Sequence, residues 1–207
     1  MPETLPRLAS HRRALPALGA DAASAFWKTC PSACFRDTRS GATPVQSTTV
    51  RLACDADELR ILLRAEDTHI AATLTERKAA LYTEEVLEIF LDPVGDGECY
   101  FEIEVNPLNA VLDLVLRRNR SGYRKDFAWV CEGLRTAVRC DSAGWSAELS
   151  IPFRSLAADP PRIGESWRAN FTRIDRPPAA PRELTAWSPT YLDTFHAVER
   201  FGWIDFA

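Results

Sequence analysis

Apolar and polar residues along this chain alternate with a period of two, in short runs separated by turn residues, the signature of half-buried β-strands. Thr48–Cys54 (TTVRLAC) is the first clear run, and Asp55, Ala56, Asp57 and Glu58 make the turn after it. Leu59–Glu66 then places Leu59, Ile61, Leu63 and Ala65 on one face, with Arg60, Leu62, Arg64 and Glu66 on the other. Val86–Asp92, Tyr100–Asn106, Val111–Arg117, Leu134–Cys140, Trp145–Ile151, Trp167–Ile174 and Phe201–Phe206 continue the pattern. Many short strands with turns between them predict an all-β fold, a sandwich or a barrel. Helix is confined to one turn at Phe153–Ala158 and to Ala71–Leu81, which suits helix or loop equally. The proline-rich stretch Pro177–Pro181 is expected to be a long surface loop rather than a boundary between domains.

Composition narrows the choice. The 207 residues are enough for one substantial core, expected over residues 21–207, with residues 1–20 as a proline-punctuated lead-in draped over it. Fourteen prolines and six tryptophans beside a single methionine point away from a helical bundle. A net charge of −4 and scattered basic residues give no electrostatic footprint for nucleic acid. No run approaches the ~20 apolar residues of a membrane-spanning helix. The N-terminus lacks a continuous apolar stretch of the signal-peptide kind, so a cytoplasmic location is expected, or a secreted one if the natural chain begins earlier. Six cysteines without a CxxC pair, and three histidines, lack the usual zinc spacings. Cys54 and Cys99 sit in apolar runs, where a free thiol packs as a small hydrophobe.

The chemistry concentrates in VLEIFLDP (86–93) and YFEIEVNP (100–107). Glu88, Phe90 and Asp92 share one face of the first strand, and Glu102, Glu104 and Asn106 share one face of the second. The connection, with Pro93, Gly95 and Gly97, suits a hairpin, and pairing Glu88 with Glu104 and Phe90 with Glu102 keeps both apolar faces together. Opposed carboxylates repel, so a partner is required; Arg60, Arg64 and Arg173 are candidates by their alternating positions. A face of Glu, Asn and Arg with an aromatic rim suits a sugar, whose hydroxyls hydrogen-bond to the polar groups and whose C–H faces stack on rings. The pattern alone equally describes a solvated sheet face laced with ion pairs.

Further segments fall in order around this pair: AFWKT (25–29), TVRLACDADELRILLRAED (49–67), EEVLEIFLDP (84–93), YFEIEVNP (100–107), GWSAELSIPFRSL (144–156), GESWRANFTRID (164–175), AWSP (186–189) and FHAVERFGWIDF (195–206). The ordered set, covering nearly the whole chain, resembles carbohydrate-binding module family 9 and its DOMON-like relatives. The resemblance implies a jelly-roll-like β-sandwich of two antiparallel sheets and a non-catalytic role in binding a mono- or oligosaccharide. It implies a terminal sugar held between two aromatic rings, at positions matched here by Tyr82 and Phe195. Glu88 matches a hydroxyl-binding glutamate, and Thr172 occupies a polar contact position. The usual clamp is a tryptophan pair, and Glu104 stands where some members have arginine, so the identity of the sugar does not carry over. No cofactor is implied, although some members hold calcium as a structural ion. Asp92, Asp96 and Glu98 offer oxygen ligands for calcium, or simply form a hairpin loop.

Other residues complete the expectations. Asn106 and Arg173 fall at polar-face positions, Trp187 is a candidate for the binding-site rim or for packing, and His196 adjoins Phe195 as a candidate ligand contact. Trp27, Trp145, Trp167 and Trp203 are expected in the core. Two other functions compete. A glycoside hydrolase would use Glu88 and Glu104 as a carboxylate pair about 5–5.5 Å apart. A haem-binding DOMON-like domain would need an axial ligand, and with Met1 the sole methionine only a histidine could serve.

Overall fold

The computed structural model describes residues 4–157 and 159–207. The chain runs through β1 (Arg7–Arg12), the single-turn α1 (Ala25–Lys28), β2 (Ser32–Cys34), β3 (Arg36–Asp37), β4 (Thr48–Cys54) and β5 (Glu58–Glu66). After a long connection come β6 (Val86–Asp92), β7 (Cys99–Val105), β8 (Val111–Asn119) and β9 (Gly122–Asp126). The chain finishes with β10 (Arg135–Asp141), β11 (Gly144–Pro152), β12 (Ser166–Asp175), β13 (Glu183–Ala186) and β14 (Gly202–Phe206). All nine runs that alternate in the sequence form strands. The segment 71–81 is loop, followed by a single 3-10 turn at Leu81–Thr83, and another such turn forms at Phe153–Ser155.

The strands make an all-β sandwich whose sheet curls into two layers, in the order β10-β11-β5-β4-β1-β14-β12-β6-β7-β8-β9. Neighbours pair antiparallel except at β1, which the sequence placed in a draped lead-in. Its first residues pair parallel with β14 (Leu8 beside Ile204) and its last with β4 (Arg12 beside Cys54), so β1 joins the layers. Its signal is weak because RLASHR carries charge at both ends and only Leu8 and Ser10 are buried.

The main core lies between the layers. Leu59, Ile61, Leu63 and Ala65 of β5 meet Leu87, Ile89 and Leu91 of β6 and Ile103 and Val105 of β7. Each fully buried aliphatic side chain contributes about 1.5–3 kcal/mol relative to exposure. Trp27, Trp145 and Trp167 are buried as expected. Trp203 is half-buried, with the Arg168 guanidinium 4.7 Å from its ring centre.

At one end of the core the layers are tied by Arg173 of β12. Its guanidinium pairs with Asp67 (2.9 Å), Glu85 (3.2 Å) and Asp175 (3.5 Å), and also donates to the Glu66 carbonyl (2.7 Å). Glu85 in turn accepts from the Trp145 indole at 2.7 Å. Removing the cation would strand the buried carboxylates of Asp67 and Asp175 beside the Glu85 carboxyl. Arg173→Ala is therefore expected to cost about 3–5 kcal/mol of stability, read as a fall in the denaturation midpoint; an unchanged midpoint would contradict this role.

Candidate functional site

β6 and β7 pair as their alternation predicts, with Glu88 opposite Glu104 and Phe90 opposite Glu102. The face that carries them is not open to solvent. Every residue of β6 is buried, because loops from 74–84 and 190–201 pack across that face. Their apolar side chains form a second core: Leu81, Phe195 and Phe201 join Phe90, Tyr100, Leu112 and Leu114. Glu88, Glu102 and Glu104 lie within that cover at 3%, 3% and 1% exposure, so water does not screen them.

A cleft of about 180 Å³ opens above Glu88 and Glu102. The 3-10 turn at Leu81–Thr83 builds one wall: Leu81 is buried and anchors it, leaving the Tyr82 ring 44% exposed over the cleft. Phe195 and His196 also line it. Phe195 packs on Phe90 with centroids 6.5 Å apart, and Thr190 holds its loop by donating to the Thr194 carbonyl at 2.8 Å. Arg182, Leu184 and Ile174 complete the lining on the β12–β13 side.

The electrostatics follow from burial. Thr172, opposite Glu88 on β12, donates its hydroxyl to Glu88 Oε2 at 2.8 Å. Desolvation, then the charge of Glu102, nevertheless pushes the Glu88 carboxyl up to about 8. Burial also raises Glu102, and it raises Glu104 well above the usual range, with Glu88 and Glu102 adding to the effect. The nearest cation is Lys125 of β9, with Nζ 4.0 Å from Glu102 Oε2. Lys125 lies 3.0 Å from His196 Nε2, and Tyr100 Oη lies 2.9 Å from His196 Nδ1. An ammonium only donates, so Nε2 accepts and Nδ1–H donates to the tyrosine. Burial, and then Lys125, lowers the His196 pKa to about 4, which keeps the ring neutral.

The sequence candidates divide. Tyr82, Glu88, Phe195 and His196 line one cleft, Thr172 holds Glu88 from below, and Glu104 sits behind Glu88 and Glu102. Asn106 lies elsewhere: its side chain donates to the Leu74 carbonyl (2.7 Å) and accepts from Ala110 N–H (2.9 Å), closing the β7–β8 turn. Arg173 points into the inter-sheet core, since the pleat puts it beside Leu87 rather than Glu88. Trp187 is core rather than rim, 4% exposed with its ring 5.4 Å from Phe171. It packs so closely on Gly202 that a Cβ there would lie 2.7 Å from the indole.

The arginines expected to offset the carboxylates do not reach them. Arg60 pairs with Glu58 and Glu148 on the other layer, Arg64 with Asp141, and Arg173 with its own trio. Lys125 is the cation in reach, and it was missed along with Arg182 and Tyr100. The Ser121-Gly122 turn before Tyr123 and Lys125 was the available signal for the β8–β9 hairpin. In the β6–β7 loop the candidate oxygens have protein partners: Asp92 accepts from Gly95 and Gly97 N–H (2.7 and 2.9 Å), Asp96 from Glu98 N–H (2.8 Å), and Glu98 pairs with Arg118.

The layered fold, with a cleft on the outer face of one sheet, agrees with a match of residues 20–206 to the family described as carbohydrate family 9 binding domain-like. The chain belongs to that family. Solved structures share the fold. A family 9 module from Caldicellulosiruptor kristjanssonii in complex with cellotriose superposes with TM-score 0.74 at 17% identity, covering 97% of this chain and 93% of that one. A family 9 module from the same organism in complex with glucose gives TM-score 0.72 at 17% identity, covering 98% and 96%. A candidate carbohydrate-binding protein of Bacteroides uniformis ATCC 8492 gives 0.78 at 15% identity, covering 99% and 100%. No curated protein matches the chain at a significant level.

The raised carboxyls have a stability consequence. Glu85 and Glu88 titrate near about 8 in the folded protein but near ~4.3 when unfolded. A raised folded pKa stabilises fully below the unfolded value and is lost as pH rises through the folded one. Stability should fall between about pH 6 and 8 by about 1.4 kcal/mol per pH unit for each carboxyl. Glu88→Gln should make that fall shallower. Denaturation midpoints that stay level or rise across this window would contradict the assignment.

Proposed function

We propose that this family 9 domain is a non-catalytic module that holds a terminal sugar in the cleft between Tyr82 and Phe195. The observation that carries the reading is the cleft itself, which the exposed Tyr82, the apolar Phe195 and buried Glu88 line together. A pyranose needs both surfaces. Its C–H face stacks on a ring, while its hydroxyls hydrogen-bond to Glu88 and, at the rim, to Lys125 and Arg182. The glucose and cellotriose complexes of the Caldicellulosiruptor structures make glucose and cello-oligosaccharides the first ligands to try.

The carboxylates support binding rather than hydrolysis. A retaining glycosidase needs an ionised nucleophile and a protonated acid, so its two pKa values are pushed apart. Here Glu88, Glu102 and Glu104 are all pushed upward. Glu104, half of the expected pair, lies behind the cleft's lining. Haem ligation by His196 would displace one of its two contacts, to Tyr100 or to Lys125.

Isothermal titration with glucose, cellobiose and cellotriose tests the reading. Tyr82→Ala should weaken binding about tenfold, the scale of a lost ring contact, and leave the melting temperature unchanged because the ring is exposed. Phe195→Ala should also lose binding, but at a cost in packing, since Phe195 is 7% exposed and part of the second core. A broad panel of mono- and oligosaccharides without any binding, or Tyr82→Ala binding as wild type, would overturn the proposal.

A further inference from the structure

The proline-rich loop at 177–181 builds one wall of a second cavity, of about 360 Å³, beside the cleft that Tyr82 and Phe195 line. Arg182 and Leu184 line both openings. An exposed ion pair also crosses from one to the other: Arg39 lines the second cavity, Asp193 lines the cleft, and the two side chains pair. A ligand seated in the cleft therefore has the second cavity as its immediate neighbour.

The two openings differ in chemistry. Val45, Pro177, Ala180, Pro181 and Leu184 give the second cavity apolar walls, and Val45 is 92% exposed. The polar side chains around it already have protein partners. Asp37 accepts from the Ser40 N–H (2.8 Å) and hydroxyl (2.6 Å), and Glu183 accepts from the Val45 N–H (2.9 Å). Gln46 accepts from the Thr68 N–H (2.9 Å) and donates to Asp175 (3.0 Å). Arg39 is held by Asp193. The exposed Arg182 makes no hydrogen bond or ion pair among the described residues. A second pyranose would need partners for several hydroxyls, and this lining offers one guanidinium. A planar aromatic ring needs apolar contact and gains from a guanidinium laid on its face.

We propose that the second cavity is a subsite for an aromatic aglycone, so that the preferred ligand of this domain is an aryl glycoside. The sugar sits in the cleft, and the aryl ring lies on the wall of Val45, Ala180 and Pro181 beside the Arg182 guanidinium. The proposal rests on the sugar-binding reading of the cleft and adds the class of ligand that the cleft and its neighbour take together.

The test compares methyl and 4-nitrophenyl glycosides of glucose, galactose, mannose and xylose, as α and β anomers, by isothermal titration. Where a methyl glycoside binds, its 4-nitrophenyl counterpart should bind about tenfold tighter, the scale of a partly buried ring. Ala180→Asp and Val45→Asn, both at exposed positions, should abolish that gain and leave the methyl glycoside affinity and the melting temperature unchanged. In methyl-labelled protein the aryl glycoside should shift the Val45 and Ala180 signals, and the methyl glycoside should leave them in place. Equal affinity of the methyl and aryl glycosides of every sugar that binds would overturn the inference and leave the sugar reading standing. So would a gain that survives in either folded variant. Methyl and aryl glycosides that all fail to bind would overturn the sugar reading and this inference with it.

Discussion

The registered pairing of β6 with β7 sets the chemistry of the whole outer face. With Glu88 opposite Glu104, Leu87, Ile89 and Leu91 all point into the core between the layers. A slip of one residue would turn that apolar set outward and drive the carboxylates into the core. The apolar side therefore fixes the register, and the polar side must accept the repulsion that results. On an exposed sheet that repulsion would be small, because water screens it. Here the 74–84 and 190–201 loops cover the face, so the same carboxylates become strongly perturbed groups facing a small opening.

The two layers handle the same difficulty differently. At the end of the inter-sheet core, Arg173 brings a fixed positive charge to Asp67, Glu85 and Asp175 and becomes a tie between layers. On the outer face only Lys125 approaches, at 4.0 Å, and it is shared with His196. One acidic cluster thus serves structure. The other keeps its raised carboxyls beneath a cleft, with Glu88 and Glu102 in the lining.

Much of the fold was legible in the alternation, including the β6–β7 register, because strands buried on one face print a period of two. The β1 strand was not, since a strand joining two layers parallel to both needs few apolar residues. The placement of candidate residues was legible where it is local: Glu88 and Thr172 face each other across neighbouring strands whose faces the pattern reveals. It was illegible where a role depends on which loop covers what. Trp187 follows a proline-rich loop yet is pulled into the core against Gly202, and Asn106 spends its side chain on its own turn. Arg173 was assigned to the carboxylate face, although it neighbours Thr172 and must therefore point the other way.

The direct measurement is a titration followed by amide and side-chain NMR, adding glucose or cellobiose to isotopically labelled protein. Sugar seated in the cleft should shift the signals of Tyr82, Glu88, Lys125, Phe195 and His196 together, with one common affinity. Perturbation centred on the opposite layer, around Arg64, Arg139 and Asp141, would place any binding elsewhere. The absence of perturbation at saturating sugar would contradict the cleft as a sugar site altogether.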